Sequence, residues 1–136
     1  IVMMLNGALA GLVAITAEPL TPGPILAMCI GSIGAVIMYF GTKFLESLSL
    51  DDVVGAIPVH MFAGIFGTLV VPLSNSDTNF GTQFLGVVSV CLFSFIFSYA
   101  VFRTLKETIG LRISKSAERL GTDKAEVGVS AYSIRD

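Results

Sequence analysis

Histidine is almost missing from this chain: its 136 residues hold one, His60, alongside two cysteines, Cys29 and Cys91. No second His, Cys or acid stands at ligand spacing from His60, so a metal centre is not expected. Two cysteines inside apolar stretches give no disulfide framework and read as buried structural thiols. Charge is scarce as well, at 13% of residues against about a quarter in soluble domains. Glu18 is the only charged residue in positions 1–42. Basic residues number eight and the net charge is −2, so no nucleic-acid partner is expected.

What is abundant is apolar: 54% of the residues, with a mean hydropathy of +0.84. An integral membrane protein accounts for these values and a soluble domain does not. A basic n-region and a cleavage site, the marks of a secretory signal, are lacking. The chain opens without Met inside an apolar run, and is expected to be the C-terminal piece of a longer protein.

A bilayer core needs about 20 apolar residues per helix. Four such stretches are expected, at about residues 1–17, 24–45, 53–73 and 80–109, followed by a polar tail over 111–136. Pro19, Pro22 and Pro24 separate the first two, since proline cannot continue a helix. A polar link over 46–52 and a turn-forming cluster over 74–79 separate the others, and Gly110 is the expected stop of the fourth. All eight Lys and Arg fall next to the link after the second span, at Lys43, or at the end of the fourth span and beyond it, from Arg103 onward. The positive-inside rule then puts the tail in the cytoplasm, and the cell's inner (plasma) membrane is the expected location. Gly23, Ala27, Gly31 and Ala35 recur every four residues, and Gly7 and Gly11 form a GxxxG, both patterns for close helix packing. Phe84, Phe93, Phe95 and Phe97 crowd the fourth span and suit a lipid-facing or subunit-facing helix.

An imidazole at membrane depth is costly and is a functional-site candidate by default. On a regular helix the residues sharing the face of His60 are Ala56, Ala63, Gly64 and Gly67, all small. Such a histidine faces either a narrow passage or a closely packed helix, not lipid. Pro58 removes a backbone donor two residues before it. A neutral imidazole offers one donor and one acceptor, enough to pass hydrogen bonds to a small polar solute or to relay a proton. A histidine bonded to another helix as packing glue is the alternative.

Three blocks in order resemble ammonium transporters of the Amt/Rh family. The first is Asn6-Gly7-Ala8-Leu9-Ala10-Gly11-Leu12-Val13-Ala14-Ile15-Thr16-Ala17. The second is Asp51-Asp52 followed by Val59-His60 and Gly64-Ile65-Phe66-Gly67-Thr68. The third is the tail series Gly110-Leu111-Arg112-Ile113, Glu118, Gly121, Asp123, Gly128 and Ala131-Tyr132. The resemblance implies an all-α, polytopic transmembrane helix bundle, this chain being helices eight to eleven of an eleven-helix fold plus the cytoplasmic tail.

It also implies a homotrimer of transporters, not an enzyme and without a cofactor, each subunit holding a narrow hydrophobic pore. His60 aligns with the second of two pore histidines, along which ammonia passes after ammonium loses its proton. A charged ammonium is expensive to dehydrate there, whereas neutral ammonia enters cheaply. In the tail, Gly110, Arg112, Gly121, Asp123 and Tyr132 carry the pattern of a regulatory segment that couples subunits and meets PII-type signalling proteins. An ammonium sensor joined to a downstream signalling domain is the alternative function.

Overall fold

A computed structural model describes residues 1–131, and every element among them is helical. They form two compact units, Ile1–Leu92 and a second beginning at Phe93. In the first, α1 spans Val2–Thr16 and α2 spans Pro24–Ser47. Pro24 enters α2 at its first position, where the missing N–H needs no partner. Beyond Ser47 the chain reverses sharply. Ser49 takes a left-handed φ of 55°, and the Leu50 N–H reaches back to the Leu45 carbonyl at 3.1 Å.

The third helix, α3, is a composite over Ile57–Leu73. It opens as a π-helix, Ile57–Phe62, becomes a regular α-helix over Ala63–Val70, and tightens to a 3-10 turn at Val71–Leu73. Both irregular ends hold a proline: Pro58 stands in the first turn, where a missing N–H needs no partner, and Pro72 withholds one from the ladder. The apolar run suggests a helix from residue 53, but Val53 and Val54 form an exposed turn instead. The cause is Asp52, whose carboxylate accepts the N–H of Ala56 at 2.9 Å and of Ile57 at 2.8 Å. Gly55 makes that turn with φ of 75°, a region that a side chain disfavours.

Small residues hold α1, α2 and α3 together. A Cβ on Gly11 would lie 3.1 Å from the Gly31 carbonyl oxygen, and one on Gly34 would lie 2.6 Å from the Ala14 Cβ. One on Gly67 would run into the Ala14 carbonyl oxygen. Gly7 and Ala35 face one another across the same α1–α2 seam. The four-residue spacing on α2 thus enters the seam through Gly31 and Ala35, while nothing lies within 4 Å of a Cβ on Gly23. The buried stripe of α2 is offset from that series and comprises Ile30, Gly34, Met38, Gly41 and Leu45.

α4 is one continuous helix, Phe80–Thr108. Asn79 caps it, its side-chain oxygen accepting the Thr82 N–H at 2.9 Å. None of its residues is buried in the described chain. Gly110, with φ of 83°, follows its end, as expected of a glycine stop. In the second unit a short α5, Lys115–Leu120, and a π turn, Asp123–Val127, complete the elements. Pro24–Ser47 and Phe80–Thr108 are long and apolar enough to cross a membrane, whereas Val2–Thr16 and Ile57–Leu73 are shorter apolar helices. Neither cysteine is a buried thiol: Cys29 is exposed and Cys91 half-buried, because both lie off the glycine seam.

Candidate functional site

His60 sits inside the π-helical opening of α3. The turn is closed by the Ala63 N–H, which bonds the Pro58 carbonyl five residues back. The turn starts under the Asp52 carboxylate, which caps the Ile57 N–H, with Pro58 in the first turn, where a missing N–H needs no partner. Pro58 and Val59, just before His60, are buried against the helix neighbours, and His60 itself is exposed.

The five residues that a regular helix would place together are therefore divided. Ala63 and Gly67 are buried, Gly67 directly against the Ala14 backbone of α1. Gly64 is half-buried near Val13, and Ala56 shares the exposed side with His60. The face expected around His60 splits into a sealed part and an open part. A π turn advances the chain by more residues per turn than an α-helix does, so the face drawn for a regular helix is rotated across it.

Polar bonds from α1 and from the loop that follows it hold both ends of α3. At one end Asn6 Nδ2 donates to the Val54 carbonyl at 2.9 Å, and a Cβ on Gly55 would lie 2.5 Å from that nitrogen. At the other, Asn75 Nδ2 donates to Glu18 Oε2 at 3.0 Å, and Thr21 Oγ1 donates to Ser74 Oγ at 3.1 Å. A small crevice near this second end is lined by Glu18, Ser74, Gly67 and Ile30 among others, and His60 is not part of it.

Arg112, Gly121 and Asp123 of the tail each have a local structural task. Arg112 makes a two-pronged contact with Glu118, at 2.6 and 3.3 Å, and the Glu118 carboxylate holds its guanidinium further into the charged range. Gly121, with φ of 96°, ends α5. Asp123 Oδ2 accepts the Ala131 N–H at 2.8 Å, and that bond foremost pulls its carboxyl below the usual range. Tyr132 lies outside the described residues.

Residues 1–132 match the model of the Ammonium Transporter Family. The chain belongs to the ammonium transporter family. Among curated relatives, it is 36% identical to ammonium transporter Amt2 of Archaeoglobus fulgidus, the match covering 96% of this chain and 32% of that protein. It is 32% identical to ammonium transporter Amt1 of Methanocaldococcus jannaschii, covering 94% of this chain and 35% of the relative. Ammonium transporter 1 of Schizosaccharomyces pombe is 31% identical over 96% of this chain and 31% of its own length. The chain thus spans about a third of the curated relatives it matches.

Three parts of this family member's site have no role in a reading of composition and spacing alone. They are the Asp52 cap, the Asn6 tie and the Glu18–Asn75 pair. For Asp52 a signal was there: an Asp a few residues ahead of a Gly and a Pro is a helix-start pattern. For the other two none was, because their partners are 48 and 57 residues away.

Proposed function

We propose that this chain is the C-terminal portion of a pore-forming subunit that carries ammonium nitrogen across a bilayer as ammonia, with His60 on the pore wall. The observation that carries this reading is the family match over residues 1–132 together with one imidazole on the open side of an apolar helix. The opposite side of that helix is sealed against α1 by Ala63 and Gly67. A neutral imidazole there presents one donor and one acceptor to a passing ammonia molecule. The apolar surroundings reject the hydrated ammonium ion, whose desolvation costs far more than that of ammonia.

The reading includes a homotrimer of such subunits in the plasma membrane, with the tail cytoplasmic. It also includes a second pore histidine supplied by the remainder of the subunit, and a tail that meets a PII-type protein. The test uses the full-length protein in membranes. His60→Ala should abolish or grossly alter methylammonium uptake and ammonium-driven current. Wild-type transport by a well-folded His60→Ala trimer overturns the pore role.

A further inference from the structure

The helix that carries His60 is poorly specified by its own backbone. Its regular α-helical stretch, Ala63–Val70, is 8 residues, and irregular turns containing proline flank it on both sides. A helix so short has little stability of its own in isolation. Sealing against α1 by Ala63 and Gly67 resists separation of the two helices but leaves sliding along the axis to other contacts.

Those other contacts come from α1 and from the loop that follows it. Asn6 holds the Val54 carbonyl immediately before α3, and Glu18 holds Asn75 immediately after it. Asn75 is in turn built into the end of α3: its N–H bonds the Val71 carbonyl at 3.0 Å, and its side-chain oxygen accepts the Asp77 N–H at 2.9 Å. Ser74, the acceptor from Thr21, also donates to the Val71 carbonyl, at 3.3 Å. α1, through Asn6, and the loop that follows it, through Glu18 and Thr21, therefore hold the chain on both sides of the imidazole.

We infer that Asn6 and Glu18 are positioning residues that set the axial register of α3, and with it the height at which His60 meets the permeating molecule. This rests on the transport reading above. A slip of one residue moves an α-helix about 1.5 Å along its axis, enough to carry a ring nitrogen out of hydrogen-bond range. Glu18 acts here as a hydrogen-bond acceptor and not as a charge that gathers cations. The two roles make opposite predictions for Glu18→Gln, which keeps an acceptor oxygen and loses the charge.

The experiment measures methylammonium uptake by full-length variants matched for membrane level. Asn6→Ala, Glu18→Ala and Asn75→Ala should each lower maximal uptake by at least about fivefold with the half-saturating concentration nearly unchanged, as loss of a single such bond permits. Glu18→Gln should restore most of that loss. Equal impairment by Glu18→Gln and Glu18→Ala, with a raised half-saturating concentration, overturns the register role in favour of cation attraction.

A second measurement does not depend on transport. With Cys29 and Cys91 replaced by serine, the pair Thr21→Cys and Ser74→Cys should form a disulfide on mild oxidation in membranes. Adding Asn75→Ala should slow that cross-link several-fold. Cross-linking indifferent to Asn75 overturns the proposal even where the variants fold poorly. Asn75-dependent cross-linking in the cysteine pair, together with no methylammonium uptake by the wild-type protein, overturns the transport reading and leaves the register intact.

Discussion

Replacing Gly67 by alanine should break the contact on which the placement of the histidine helix depends. The added Cβ would run into the carbonyl oxygen of Ala14 and lie 2.8 Å from its carbon and 2.9 Å from its Cα. All three atoms belong to the α1 backbone, so no side chain can swing aside, and α1 and α3 must part. Overpacking costs about 1–3 kcal/mol, and a rigid backbone obstacle places this case near about 3. Alanine returns about 1 kcal/mol through its better helix propensity. The net loss is about 2 kcal/mol, or about 30-fold in the ratio of folded to unfolded protein.

Gly64→Ala is the matched comparison on the same helix. Its Cβ would lie 3.6 Å from Val13 Cγ1, an ordinary contact, so the same propensity gain comes without a clash. Unfolding of the full-length protein in mixed detergent, titrated with dodecyl sulfate, measures both variants. Gly67→Ala should unfold at clearly lower denaturing detergent than Gly64→Ala, and should transport more slowly. Equal stability of the two variants would refute the reasoning that backbone contact holds α3 to α1.

Asp52→Ala removes the carboxylate that receives the Ala56 and Ile57 N–H groups. A loss of about 1–2 kcal/mol is expected from such a cap. Asp52→Asn should keep part of it, read in the same detergent titration. For the tail, the Ala131 N–H holds the Asp123 carboxyl below its ordinary range. The turn is therefore favoured above the unfolded carboxylate value, about 3.9, and loses that support only as pH falls through the lower folded value. Protease sensitivity of the tail should stay flat from pH 8 to about 5 and rise in acid. Asp123→Asn should show raised sensitivity at neutral pH, and a wild-type-like profile from that variant would count against the tie.

How much was legible before folding varies from residue to residue. α2 starts at Pro24, and α4 starts after Asn79 and stops just before Gly110, because such signals act on the adjacent backbone alone. Gly110 likewise announces the end of α4 through its own φ. The start of α3 was misjudged because hydropathy counts Val53 and Val54 as helix. A carboxylate one residue earlier decides otherwise. The grouping of Ala56, Ala63, Gly64 and Gly67 around His60 assumed a uniform helical period, which the turn containing Pro58 does not keep.

By itself the sequence determined that the chain is apolar and helical, where its breaks fall, and that one imidazole stands out. It also carries the residue blocks by which the family is recognised. Those properties depend on composition and on neighbours within a few positions. Only the tertiary structure decided which glycines of α2 meet α1, that Gly67 and not Gly64 is the tight point of α3, and that His60 lies on the open side. Only it joined Asn6 to Val54 and Glu18 to Asn75. Hydrogen bonds and backbone contacts between residues about fifty positions apart exist once helices have packed, and no local preference encodes them.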